Sequence, residues 1–272
     1  MCLIAFAWNA SSRYRLLLAA NRDEFHDRPA LPAHWWSDMP GVYGGRDLNA
    51  GGTWLAISRQ GKLAAVTNFR ERPHRGPGER SRGELGASYV AGPNPPERHA
   101  QALRASAERY AGFNLLLFDW SGNGNAPSCA YLSNRTPVTA PQVPAAGVHT
   151  LSNHLLNTEW PKSLRLGSVV QEVLDHQNPV ERLFDALTDQ RPVGAHEVPA
   201  DADQSDPDVL TRTPFIVNAR YGTRASTVVA VGLDGSLLFV ERTWTWGRDS
   251  RGNEGPVFAG ERRLELEPGA PA

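Results

Sequence analysis

Two short apolar runs near the start of the chain constrain its fold more than any other feature. Cys2-Leu3-Ile4-Ala5-Phe6-Ala7-Trp8 and the segment from Tyr14 to Asn21 are uniformly apolar, with no clean polar–apolar alternation, and Asn9-Ala10-Ser11-Ser12 forms a turn between them. Strands of this kind belong between two covering layers, because a sheet with one solvated face alternates with period two. The pair therefore predicts a sheet buried on both faces. The chain has 272 residues, enough for a substantial core.

The remaining pattern runs strands, helices, strands. Thr53–Ser58 and Lys62–Phe69 read as a hairpin around Arg59-Gln60-Gly61, after an irregular Pro-bearing stretch at 28–40. Ser81–Val90 and Pro95–Tyr110 read as helices, the second with Pro-Pro at its start and Gly112 past its end. Phe113–Trp120 and Cys129–Leu132 return to strand around the Ser121–Asn125 turn, and Val148–Leu151 is a further short strand. Pro161–His176 and Pro179–Thr188 have helical periodicity, with Leu164, Val169, Val173 and Leu174 toward one side. Residues 190–210 are acidic and Pro-containing, a loop. A last hairpin joins Thr227–Gly232 to Leu237–Trp244 through Leu233-Asp234-Gly235-Ser236. This order predicts an α+β fold, an αββα sandwich of two antiparallel sheets between helical layers. It is read as a single domain over 1–266 with a frayed tail at 267–272.

The formal charge of −1 argues against general nucleic-acid binding, which needs a basic field to displace counterions. The basic residues comprise 26 arginines and the two lysines Lys62 and Lys162, a bias that by itself decides nothing. Two cysteines, Cys2 and Cys129, do not make a disulfide framework. The start has neither a basic n-region nor a cleavage site, and no apolar run reaches membrane-spanning length, so a cytoplasmic setting without a membrane span is expected.

Cys2 stands directly behind the initiator methionine. Removal of Met1 would give one residue both a thiol and an α-amine titrating near pH ~8, a ready base for its own nucleophile. Free cysteine is also commonly a small buried hydrophobe, and Cys2 alone favours that use. Further polar groups collect at strand ends: Asn21-Arg22-Asp23-Glu24 after the second strand, Thr67-Asn68-Phe69-Arg70, Ser152-Asn153-His154, and Gly222-Thr223-Arg224 ahead of the last hairpin. Amides there can donate to an oxyanion, and arginine can depress a thiol pKa or hold a carboxylate. If the second strand continues, Asn21 and Asp23 share one face and Arg22 and Glu24 the other.

In combination these segments resemble the NRDE family, also called the Transport and Golgi Organisation 2 family. The resemblance rests on Met1-Cys2, Leu18-Ala19-Ala20-Asn21-Arg22-Asp23-Glu24-Phe25, Arg28-Pro29, Gly51-Gly52-Thr53-Trp54-Leu55, Thr67-Asn68-Phe69-Arg70 and Gly222-Thr223-Arg224, in order along nearly the whole chain. That family is similar to N-terminal-nucleophile hydrolases of the penicillin V acylase and choloylglycine hydrolase group. The resemblance implies Cys2 as nucleophile, Arg22 and Asp23 orienting its thiol and amine, and Asn68 as oxyanion donor. It further implies that Asn153 contacts the α-amine or substrate and that Arg224 supports the nucleophile. The reaction implied is hydrolysis of a small amide or thioester through an acyl-enzyme, with no cofactor. A second reading stays open: a binding or trafficking protein for haem or acyl-CoA-type lipids on the same scaffold. His26, His149 and His154 are candidate haem ligands in that case, and the ligand is small or lipid-like in both. The eight histidines have no zinc-type spacing, so no metal is expected.

Overall fold

The computed structural model describes residues 2–267 apart from 72–75, 77, 122–125, 137–139 and 195–212. The described residues form two compact units. One comprises those of Met1–Asp27, Ala146–Ser152 and Leu156–Pro268, and the other those of Arg28–Ala145 and Asn153–Leu155.

The first unit is a six-stranded antiparallel sheet built from β1 (Cys2–Trp8), β2 (Tyr14–Phe25), β9 (Gly147–Leu151), β10 (Tyr221–Gly232), β11 (Leu237–Arg248) and β12 (Glu254–Leu266). The strand order is β12-β11-β10-β2-β1-β9. Helices α3 (Pro161–Glu172) and α4 (Val180–Leu187) cover one face. Leu3, Ala5, Ala7, Leu17, Ala19, Val228, Ala230 and Val240 from the strands meet Leu166, Val170, Leu183, Phe184 and Leu187 from the helices there. Ile4, Phe6, Leu16, Leu18, Val229 and Phe239, on the sheet's opposite face, are buried as well, which is why the sequence runs apolar without alternation.

The second unit is also a six-stranded antiparallel sheet, ordered β3 (Ala30–Trp35), β4 (Val42–Asp47), β5 (Leu55–Ser58), β6 (Lys62–Asn68), β7 (Phe113–Asp119), β8 (Ser128–Ser133). Its helices are α1 (Gly83–Ala91) and α2 (Pro96–Leu103), whose Leu85, Tyr89, Val90 and Ala100 pack on Ala64, Val66, Leu115, Leu117, Ala130 and Leu132. Lys62 is buried here, its Nζ donating to the carbonyls of Gly92 (2.5 Å) and Asn94 (2.9 Å) just past α1. The expected α+β class, with two antiparallel sheets and helices on each, is what the chain adopts.

Several segments differ from expectation. The stretch 28–40, expected to be irregular, contains β3. Pro32 sits in it without cost because β3 is an edge strand and its pairing slips between Leu31 and His34, so the missing N–H is not called on. The helix expected over Pro95–Tyr110 divides into α2 and a 3-10 helix, Arg104–Arg109. Leu164 is exposed; the buried stripe of α3 is Leu166, Val170 and, just beyond its end, Val173. The second strand does not stop at Asn21 but continues to Phe25, paired with β1 as far as Arg22 and with β10 throughout. β12 has no counterpart in the expectation: its charged, Gly- and Pro-containing sequence suits a sheet edge. Residues 122–125 of the expected turn, 195–210 of the expected loop and 268–272 of the expected tail lie outside the described residues.

The Gly51-Gly52-Thr53 segment shows why glycine is needed there. Gly51 has φ +72°, and a Cβ on Gly52 would lie 2.3 Å from the backbone carbon of Gly83, where α1 begins. The Thr53 N–H donates to the Gly83 carbonyl at 3.1 Å, so the two backbones are bonded face to face. Gly52→Ala must break that approach. It is expected to lower unfolding stability by about 3 kcal/mol, the scale of a severe core overpacking, read as a lower urea midpoint with an unchanged slope.

Candidate functional site

β1, β2 and β10 bring four of the predicted residues to one end of the first unit's sheet. Cys2 pairs with Arg22, which pairs on its other side with Ala225. Paired residues share a face, and Leu3, Ala5, Leu17 and Ala19 belong to the helix-covered face. Cys2 and Arg22 therefore lie on the other face. Cys2 is partly buried, and its carbonyl accepts a hydrogen bond from Ser152 Oγ at 2.9 Å. Arg22 is 5% exposed, and its Nη2 lies 3.8 Å from Glu24 Oε2 on the same face.

Asn21 and Asp23 turn toward the helices. The Asn21 amide donates to the carbonyls of Leu187 and Pro214, each at 2.8 Å, and its Oδ1 accepts from Ser226 Oγ at 2.7 Å. Asp23 Oδ1 accepts from Thr223 Oγ1 at 2.7 Å, and that hydroxyl accepts the Ile216 N–H at 2.9 Å. The Asp23 carbonyl takes the Tyr221 hydroxyl at 2.8 Å. The motif thus divides by strand alternation: Arg22 shares the thiol's face, whereas Asp23 reaches Cys2 through its backbone N–H, which hydrogen-bonds the thiol.

Arg224 enters through a bulge. The β10–β2 pairing slips between Thr223 and Ala225, leaving Arg224 as the extra residue. Its Nη1 donates to the carbonyls of Phe25 (2.9 Å) and His26 (3.1 Å), holding the chain where it leaves β2.

The electrostatics set two forces against each other. Burial pushes the Cys2 thiol above its ordinary pKa, and the Asp23 carboxylate adds to this. The positive chain terminus, the Arg22 guanidinium and the Asp23 N–H favour the thiolate. Burial also pulls the Arg224 pKa down, and the neighbouring Arg22 charge adds to that shift, while Glu24 and Asp27 oppose it. Cys129 is different: burial holds its thiol up at about 12, and its Sγ donates to the Pro144 carbonyl at 3.8 Å.

Asn68 and Asn153 belong to the second unit and are joined there. Asn153 is fully buried; its Nδ2 donates to the Asn68 carbonyl at 3.0 Å and its own carbonyl accepts the Arg70 N–H at 2.8 Å. Asn153 thereby ties down the end of β6, on which Asn68 stands.

The three candidate histidines are each engaged locally. His26 Nε2 lies 2.9 Å from the Asn218 carbonyl, so that nitrogen carries the proton. His149 stacks on Phe6 with centroids 5.2 Å apart, its Nδ1 3.1 Å from Asn157 Nδ2, and His154 packs on Phe69 at 5.1 Å. Among the described residues there is no group of three or more His, Cys, Asp or Glu able to hold a metal ion. Among them, too, no helix is long and apolar enough to cross a membrane. Thr223 stands in the Gly222-Thr223-Arg224 motif with no role expected of it, and neither Ser226 nor Glu241 is expected at the site. Glu241 had a visible signal, a charged residue closing the apolar run Leu237-Leu238-Phe239-Val240.

A family model described as Transport and Golgi organisation 2 matches residues 1–246. The mouse Transport and Golgi organization 2 homolog is 33% identical over 89% of this chain and 93% of its own length. The bovine homolog is 34% identical over the same shares. Among solved structures, a variant of conjugated bile acid hydrolase from Clostridium perfringens aligns with a TM-score of 0.48 and 7% identity, over 97% of each chain.

Proposed function

The chain belongs to the Transport and Golgi organisation 2 family, and from that premise we propose that it is a cysteine-dependent hydrolase of the N-terminal-nucleophile type, cleaving a small amide or thioester. One observation carries the proposal: Cys2 begins β1 directly opposite Arg22, with the Asp23 N–H on its thiol. A buried structural cysteine needs none of these partners, whereas a nucleophile needs a cation and a donor at the sulfur.

The chemistry would run as follows. With Met1 removed, the α-amine of Cys2 takes the thiol proton and the thiolate attacks the carbonyl carbon. The tetrahedral intermediate collapses as its C–N or C–S bond breaks, and the ammonium returns the proton to the leaving group. Water, deprotonated by the same amine, then releases the acid and restores the thiol. Arg22 offsets the thiolate charge. Arg224 and Asp23, through their bonds to Phe25, His26, Thr223 and Tyr221, hold the strand end that carries Arg22. The roles of oxyanion donor for Asn68 and of amine or substrate contact for Asn153 rest on the family resemblance.

The test is a brief iodoacetamide pulse near neutral pH, read by intact mass and peptide mapping. Loss of Met1 with labelling of Cys2 at least tenfold faster than Cys129 is the expected result. A retained Met1, or a Cys2 that labels no faster than Cys129, overturns the hydrolase.

The second reading, a carrier for haem or an acyl-CoA-type lipid, is favoured by the burial that keeps the resting thiol protonated. Stoichiometric binding of haemin or palmitoyl-CoA by both the native protein and its Cys2→Ala variant would support it.

A further inference from the structure

β1 is held unequally where it begins. Toward β2 its pairing runs the whole length, from Trp8 opposite Leu16 to Cys2 opposite Arg22. Toward β9, on its other side, the pairing runs from Trp8 opposite Gly147 to Ile4 opposite Leu151 and stops there. Among the described residues, the start of the strand therefore has a ladder on one edge only. Strand ends of this kind fray, because backbone groups without a neighbouring strand exchange their bonds with water.

Ser152 meets that gap. It directly follows β9, it is 5% exposed, and its Oγ donates to the Cys2 carbonyl at 2.9 Å. A side chain thus supplies the bond that the ladder of β9 no longer gives, and the residue it binds is the candidate nucleophile. With Met1 removed, the thiol and the α-amine of Cys2 hang from one Cα, and no peptide upstream fixes them. What fixes them is the carbonyl, whose direction sets the rotation about the Cα–C bond, and the Asp23 N–H at the sulfur. These anchors grip opposite ends of the residue, so together they restrict χ1 and ψ, the two torsions that place the sulfur and the amine. Catalysis is sensitive to such placement: a shift of about 1 Å can cost about a hundredfold in rate.

We propose that Ser152 is a positioning residue of the site, whose hydroxyl locks the start of β1 so that the thiol and α-amine of Cys2 keep a single orientation. The proposal deepens the hydrolase reading and rests on it for the catalytic consequence. The anchoring itself is tested without turnover, so the two can fail separately.

The experiment compares Ser152→Ala, Ser152→Val and Ser152→Thr with the native protein. Val and Thr add the same bulk, and only Thr keeps a hydroxyl donor, so crowding alone would affect them alike. One readout is hydrogen exchange of the Leu3 amide, which shares its peptide group with the Cys2 carbonyl. The other is kcat and KM for phenyl thioacetate, followed by thiophenol release. In the Ala and Val variants the Leu3 amide is expected to exchange about fivefold faster, the weight of one hydrogen bond. Their kcat should fall about tenfold with KM within about twofold of native, since the lost bond orients the nucleophile and binds no substrate. Ser152→Thr should restore both. Unchanged exchange in the Ala and Val variants, or a Thr variant that behaves like Val, overturns the proposal. Faster exchange with an unchanged kcat also overturns it, because Ser152 would then only pin the strand. Should Ser152→Val not fold, the contrast of Ser152→Ala with Ser152→Thr decides. If the native protein leaves the probe intact, the hydrolase reading fails by itself, and the exchange series still decides whether Ser152 holds Cys2.

Discussion

Cys2→Ala is expected to lower turnover of small thioester and anilide probes by about a thousandfold or more, the scale seen when a covalent nucleophile is removed. The fold should survive the change. Cys2 is only partly buried, its backbone pairs with β2 and takes the Ser152 hydroxyl at its carbonyl, and its thiol adds the Asp23 N–H contact to these. Activity and stability should therefore separate. Cys2→Ala should keep its urea midpoint to within about 1 kcal/mol, the usual range for a small substitution, while losing turnover. Cys2→Ser keeps the α-amine but carries a hydroxyl that is far harder to ionise, so it should be nearly as inactive. In the native protein, burial holds the thiol protonated at rest, so activity should climb as pH rises from neutral. Full turnover by Cys2→Ala would remove the hydrolase reading. Turnover lost together with the fold would show Cys2 to be a packing residue.

Asn21→Ala is expected to have the opposite profile, a large loss of stability from a residue that touches no substrate. Asn21 is 1% exposed and satisfies three groups from different parts of the chain: the carbonyl at the end of α4, the Pro214 carbonyl and the Ser226 hydroxyl. Deleting the amide strands these groups away from water. Each buried unsatisfied group costs about 1–3 kcal/mol, so the total should be about 3–5 kcal/mol after partial relaxation. Ser226 Oγ is also the acceptor of the Trp244 indole N–H at 3.2 Å. Trp244 fluorescence should therefore report the loosening in the folded state, ahead of global unfolding in urea. A midpoint within 1 kcal/mol of native would mean that water or a shift of the 213–216 segment replaces the amide.

These two variants divide a motif that reads in sequence as one unit. Asn21, Arg22, Asp23 and Glu24 are four adjacent polar residues behind an apolar strand, and adjacency suggests a polar loop. The structure keeps them in strand, all four paired with β10 and the first two also with β1, so they alternate. Two lie on the helix-covered face, where Asn21 binds the end of α4 and Asp23 binds Thr223 of β10, and two share the face of the thiol. The alternation was legible in advance. Which pair faces Cys2 was not, because that depends on Cys2 opposing Arg22 and not its neighbour; a one-residue slip exchanges the faces.

Local physics accounts for what the sequence by itself determined. Doubly apolar runs can only be inner strands, so β1 and the body of β2 were readable, as were the hairpin of β5 and β6 and the amphipathic helices. The same holds for the glycine segment, whose Gly52 has room for nothing larger against Gly83. Tertiary pairing decided the rest. β3 and β12 are edge strands whose proline, glycine and charges look like loop until a neighbour supplies half of their hydrogen bonds. The bulge that offers Arg224, the capture of Asp23 by Thr223 two hundred residues away, and the end of β9 that brings Ser152 to the Cys2 carbonyl all follow from strand register. Register is the sum of many long-range contacts, and no single stretch of sequence contains it.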